Sequence, residues 1–162
     1  MNIRRAQEKD APAIHRLLSE VLEIHAGLRP DIFVPGTTKY TDEEVRQMLT
    51  LADRPVFVAV DDQDAVLGYA FCVLQRQPAV NNRRAMTMLY VDDLCVDGAA
   101  RGMGIGQALL DRVKDYARTL GCYEVTLNVW EGNSAKAFYE KEGFRVKETL
   151  MEYILAPEAG KH

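Results

Sequence analysis

Among its 162 residues the chain has one tryptophan, three cysteines and six prolines, no apolar run of membrane-spanning length and no excess of basic residues. Each shortage closes a class of function. Lys and Arg number 20 against 24 Asp and Glu, a net charge of −4 that gives no general electrostatic footprint for nucleic acid or an anionic membrane. Arg83 and Arg84 form at most a local basic patch. Cys72, Cys95 and Cys122 are odd in number, far apart and each set in an apolar run, so they read as reduced core thiols rather than a disulfide framework or a zinc site. Neither HExxH nor a Cys/His spacing for zinc occurs, and no metal is expected. No apolar run approaches the ~20 residues a membrane span requires, and the first residues lack the apolar stretch of a signal peptide. The expectation is a soluble, cytoplasmic protein with no nucleic-acid or membrane partner.

What the chain does have is core-forming material, 48% apolar residues, enough for one domain that buries a substantial interior. That domain is expected over residues 1–156, with 157–162 a fraying tail. Asn2 to Ala6 reads as a short strand. Asp10 stands as an N-cap before Ile14, Leu17, Leu18 and Val21, whose helical spacing carries a first helix to about His25. Thr41 and Glu44 form an S/T-x-x-E capping box for a second helix with Val45, Met48 and Leu49 on its apolar stripe. The connection between them, Gly27 to Tyr40, is long for a compact domain and carries Phe33, which suits a binding loop or lid.

Val56 to Val60 and Val66 to Leu74 flank the turn Asp61 to Asp64 as an antiparallel hairpin, and Met86 to Val96 reads as a third long strand. From Ile105 the period changes to that of a helix through Leu109, Val113 and Leu120, closed by Gly121. Tyr123 to Trp130 alternates as a strand, Asn133 or Ser134 caps a short helix ending at Gly143, and Phe144 to Leu155 is long enough for a final strand. The strand, helix, strand segment from Met86 to Trp130 needs a crossover. The fold class is therefore α/β, a central mixed sheet flanked by about four helices.

The segment Arg101-Gly102-Met103-Gly104-Ile105-Gly106 follows an apolar strand and opens an amphipathic helix. Glycines let backbone approach an anion, the first helical N–H groups lack intrahelical partners, and the helix dipole favours negative charge there. Arg101 adds a positive charge. The P-loop spacing is absent, and the dinucleotide pattern fails because Gln107 or Leu109 stands where its third glycine would be, which argues against a nucleotide-dependent oxidoreductase.

These residues resemble the pyrophosphate loop Q/R-x-x-G-x-G/A of the GNAT superfamily of acyl-CoA-dependent N-acyltransferases, with Arg101, Gly104 and Gly106 at the matching positions. The strand Leu94-Cys95-Val96 before the loop, and the block Asn-Ser-Ala-Lys-Ala-Phe-Tyr-Glu-Lys-Glu-Gly-Phe from Asn133 to Phe144 after it, follow the family's order. The resemblance implies a splayed strand pair and acetyl-CoA as cosubstrate. It places Leu94, Cys95 and Val96 along the pantetheine arm and Arg101 to Gly106 around the pyrophosphate, with Asn133 beside the CoA arm. It also implies Tyr139 as the general acid for the departing thiolate. Some relatives have a catalytic Glu where Asn128 stands, and Asn is no base, so Asp93 and then Asp92 are the candidate bases, with Glu131 also weighed. Asp92 and Asp93 interrupt an apolar strand, which suits an opening there, although a plain salt bridge to Arg83, Arg84 or Arg101 would also account for them. His25, Phe33, Tyr40, Asn128 and Trp130 are the candidate acceptor-site residues; for His25 a structural role is the stronger reading. The acceptor is expected to be an amine of a small molecule, with a protein N-terminus or lysine as the alternative and a CoA-holding sensor module as a non-enzymatic one. A homodimer is left open.

Overall fold

A computed structural model describes residues 1–156; the expected tail 157–162 lies outside them. The described residues form one five-stranded sheet in the order β1-β2-β3-β4-β5 with four α-helices. The strands are β1 (Asn2–Arg5), β2 (Val56–Val60), β3 (Val66–Gln77), β4 (Met86–Val96) and β5 (Glu124–Leu127). The helices are α1 (Ala11–Leu28), α2 (Asp42–Met48), α3 (Ile105–Thr119) and α4 (Ala135–Lys141). Neighbouring strands run antiparallel except β4 and β5, which are parallel because α3 carries the chain back across the sheet between them.

Both faces of the sheet are covered. On one, Ile14, Leu17 and Leu18 of α1 and Val45 of α2 pack against Val58, Tyr69 and Phe71. On the other, Ile105, Leu109 and Val113 of α3 pack against Phe57, Ala59, Ala70 and Leu89. This two-sided burial explains why β2 is apolar at every position, Val-Phe-Val-Ala-Val, rather than alternating. No helix among the described residues is long and apolar enough to cross a membrane.

Three expectations need correction. Asp10 stands at the N-cap of α1 as expected, but its side chain makes no capping bond: its carboxylate is buried and accepts two bonds from Arg4, at 2.7 and 2.9 Å, and one from the Gln7 N–H at 2.7 Å, so it fixes the 3-10 turn before the helix. The strand expected over Tyr123 to Trp130 is shorter, because its pairing with β4 covers only Glu124 to Leu127. The final strand expected over Phe144 to Leu155 joins no ladder, and residues 145–156 are all exposed. Period-two patterning reports which residues suit a strand, and not whether a partner edge lies within reach. The Thr41 and Glu44 capping box is present with both reciprocal bonds.

Candidate active site

The site is organised by a register shift. Phe71 of β3 faces Asp93 and Cys72 faces Val91, so Asp92 is the extra residue of a β-bulge in β4. At the same level β4 parts from β5: their parallel ladder ends at Val91 and Leu127. From Asp92 to Val96, β4 is bonded to β3 on one edge only, and its other edge faces the gap left by the divergence. Gly68 allows the close approach that holds this stretch, since a Cβ there would lie 2.8 Å from the Cys95 carbonyl oxygen. Leu94 and Val96 are partly buried and Cys95 is buried, its thiol pushed up to about 12 by burial first and by Asp93 next, which makes it an unreactive core group.

The two carboxylates are held differently. Asp93 Oδ2 accepts from the Tyr69 hydroxyl at 3.0 Å, and burial raises its pKa to about 6. Asp92 accepts from the Tyr40 hydroxyl at 2.5 Å and from Lys39 Nζ at 3.1 Å. Lys39 therefore occupies the place considered for Arg83, Arg84 or Arg101. Burial, then the bond to Asp92, keeps the Tyr40 phenol protonated well above its ordinary range. Lys39 and Tyr69 escaped the sequence reading because they meet the carboxylates across 53 and 24 residues of chain, and no local pattern announces either contact.

The loop between α1 and α2 brings Lys39 and Tyr40 to the bulge. Arg29 grips Asp31 through two bonds at 2.8 and 2.7 Å, the Gly36 N–H donates to the Glu23 carboxylate at 2.7 Å, and the Thr38 hydroxyl donates to the Tyr40 carbonyl at 2.8 Å. The same loop assembles an aromatic group: Phe33 lies 5.2 Å from the His25 ring and 5.4 Å, edge-on, from Trp130, while the Arg29 guanidinium sits 5.8 Å over the Trp130 ring. Burial first, and Lys39 second, lower the His25 pKa, so its imidazole is neutral at pH 7. His25, Phe33 and Trp130 thus come together. Tyr40 stands apart from them at Asp92, and Asn128 donates to the Tyr90 hydroxyl at 3.0 Å.

Beyond β4, Asp97 accepts from the Ala99 N–H and from Arg16, at 3.0 Å each, and a 3-10 turn leads to Arg101. Gly102 and Gly104 have φ of 81° and 74°, a region glycine enters without penalty, and Gly104 is the N-cap of α3 with open space where a Cβ would point. Arg101 and Met103 are exposed at this turn, whereas Ile105 is buried beneath it. Gly106 has another reason to be glycine: a Cβ there would lie 3.0 Å from Phe138 Cζ, so it sets how closely α4 approaches α3. Asn133 accepts from the Ala135 N–H at 2.9 Å and so opens α4. Tyr139 packs between Phe138 and Phe144, at 5.3 and 5.8 Å, with no hydrogen-bond partner for its hydroxyl among the described residues. Burial first, then Asp93 and Cys95, push its phenol up to about 12. Glu131 is exposed on the turn before Asn133.

Comparison with known proteins agrees with this geometry. Residues 18–144 match the acetyltransferase (GNAT) family. The chain is 37% identical over 100 residues to glucosamine 6-phosphate N-acetyltransferase 1 of Oryza sativa subsp. japonica, covering 62% of this chain and 58% of that protein. It spans rather more than half the length of that relative and less of others. It is 34% identical over 97 residues to the peptidyl-lysine N-acetyltransferase YjaB of Salmonella typhimurium, covering 59% of this chain and 54% of that one. Among solved structures, a point variant of the BH1408 protein from Bacillus halodurans superposes with a TM-score of 0.92 at 29% identity, over 96% of this chain and 100% of that chain. Strand divergence at a bulge, a glycine turn opening α3 and the match over residues 18–144 lead to one conclusion: the chain belongs to the GNAT family of acetyltransferases.

Proposed function

We propose that the protein is an acetyl-CoA-dependent N-acetyltransferase that moves an acetyl group to an amine of a small molecule. The observation that carries this reading is the divergence of β4 from β5 at Asp92, which leaves the backbone of residues 92–96 facing a gap between a pair of carboxylates and the glycine turn. The residues suit the cosubstrate. An extended amide-bearing arm has an unpaired strand edge to bond, and a pyrophosphate has positive-φ glycines, Arg101 and the free N–H groups of α3.

In this reading the acceptor nitrogen attacks the thioester carbonyl, the C–S bond breaks, and two protons must be managed. An ordinary amine of pKa ~10.4 reaches the site protonated. Asp93, with a pKa of about 6, is ionised at pH 7 and is the first choice to accept that proton, directly or through water. Asp92, engaged by Tyr40 and Lys39, holds the loop onto the bulge and is the second choice. Tyr139, its phenol held neutral, donates a proton to the departing thiolate. Backbone N–H near Leu94 or Cys95 serves the developing oxyanion. Phe33, Trp130 and neutral His25 then face the acceptor. The rice relative's name supports a small-molecule amine such as an amino sugar phosphate, while the YjaB relatives favour a second reading, acetylation of a protein lysine. CoA release against a panel of glucosamine 6-phosphate, polyamines, aminoglycosides, amino acids and lysine peptides separates them. Release with peptides alone would overturn the small-molecule reading.

A further inference from the structure

Asp92 and Asp93 are consecutive on β4, and Asp93 feels the charge of its neighbour. Two negative charges so close disfavour each other, and a partly buried place makes the effect larger. The cation that meets this charge comes from far along the chain. The Lys39 ammonium donates to Asp92 Oδ1 at 3.1 Å and to the Asp92 carbonyl oxygen at 3.2 Å. It also lies 5.7 Å from the centroid of the Tyr40 ring, whose hydroxyl donates to the other oxygen of the same carboxylate. One cation thus grips both the side chain and the main chain of the extra residue in the bulge.

Holding the loop is a weak reason for a cation here. The Lys39 side chain is 43% exposed, and an ion pair so open to water adds little to stability. Its field matters more, because it reaches groups that Lys39 does not touch. Burial raises the Asp93 pKa most, Lys39 is the strongest influence in the opposite direction, ahead of the Tyr69 bond, and Asp92 adds to the rise. Tyr69 on β3, Cys95 on β4, Tyr139 on α4 and Tyr40 on the loop also feel the Asp93 charge, and burial keeps all four protonated at pH 7. Among these groups Lys39 supplies the positive charge. After burial, the same ammonium also lowers the His25 pKa, so its field extends to the aromatic group.

We infer that Lys39 is a positioning residue for the transfer: its ammonium offsets the charge of Asp92 and holds the bulge, so that Asp93 can take the proton of the acceptor amine and pass it to water. The inference rests on the acetyltransferase reading. In it Lys39 acts through Asp92 and Asp93, not on the thioester.

The test compares the parent with Lys39→Met and Lys39→Arg in two measurements. One is a carbon NMR titration of the Asp93 carboxyl in the protein without ligand; the other is kcat/KM against pH with whichever amine of the panel is the best acceptor. In Lys39→Met the Asp93 midpoint is expected to move to higher pH, and the parent-to-variant ratio of kcat/KM to grow by ~5-fold or more from pH 8 to pH 5.5. Lys39→Arg keeps the charge and should return both readings towards the parent. A purely structural anchor would lower the rate by the same factor at every pH. A flat ratio in Lys39→Met, an unmoved midpoint, or a Lys39→Arg variant displaced as far as Lys39→Met overturns the proposal and leaves the acetyltransferase reading in place. A parent that releases CoA with no amine overturns that reading and the proposal with it, whatever the titration shows. If Lys39→Met does not fold, Lys39→Gln is judged by the same outcomes.

Discussion

The Tyr69 hydroxyl donates to Asp93 Oδ2 at 3.0 Å, joining β3 to β4 beside the bulge that makes Asp92 the extra residue. The bond favours the ionised carboxylate, and burial opposes it more strongly, leaving the pKa at about 6 against an ordinary 3.8. A carboxyl raised in the folded state takes up protons on folding, so its contribution to stability is complete below pH 3.8 and is lost as pH rises through about 6. Asp93→Asn is therefore expected to be more stable than the parent at pH 7 to 8 by ~1–3 kcal/mol, with the difference fading towards pH 4. Denaturant melts across that range check the sign.

The glycines of the turn separate two roles. A side chain at Gly104, where φ is 74°, costs ~1–2 kcal/mol in backbone strain but meets no atom within 4 Å, so Gly104→Val should stay folded. It is expected to weaken acetyl-CoA binding ~10²-fold or more, because the side chain stands in the space open to a ligand. Gly106→Val acts through Phe138, 3.0 Å from the added Cβ, and should lower stability by ~1–3 kcal/mol as α4 is pushed from α3. Calorimetric titration beside thermal melts distinguishes the pair.

Tyr139→Phe keeps the ring between Phe138 and Phe144 and removes only a hydroxyl without a hydrogen-bond partner among the described residues. Stability and acetyl-CoA affinity are expected to hold while kcat falls ~10²-fold or more where chemistry limits the rate. Steady-state rates on the variant check this; a kcat within a few-fold of the parent would remove Tyr139 from the mechanism.

Gly68→Ala tests whether the close strand approach matters. Its Cβ would sit 2.8 Å from the Cys95 carbonyl oxygen, a backbone atom that cannot swing aside, so β3 and β4 must part locally. A loss of ~1–3 kcal/mol is expected in denaturant melts, with weaker acetyl-CoA binding measured on the folded fraction.

Much of this was legible in the residues. The strand from Met86 to Val96 begins and ends where the apolar pattern puts it, and the helix from Ile105 starts at the glycine turn, because both are long periodic segments with strong boundaries. Thr41 announced α2 through a bond to a residue only three positions away. Sequence could not reach contacts across long stretches of chain: Lys39 on Asp92, Tyr69 on Asp93, and Arg4 taking Asp10 away from the capping role its position suggests. Phe144 to Leu155 was read as a strand from its composition, yet composition does not decide pairing, and this segment forms no ladder with any described strand.

The most direct measurement is amine-dependent release of CoA from acetyl-CoA, followed as kcat/KM against pH for the parent and Asp93→Asn. The parent is expected to turn over at least one small-molecule amine, with an acid limb near pH 6 as Asp93 ionises. In the variant that limb should vanish and the rate fall ~10²–10⁴-fold. Tight acetyl-CoA binding without release in the presence of any amine would contradict the account and make the chain a CoA-holding module.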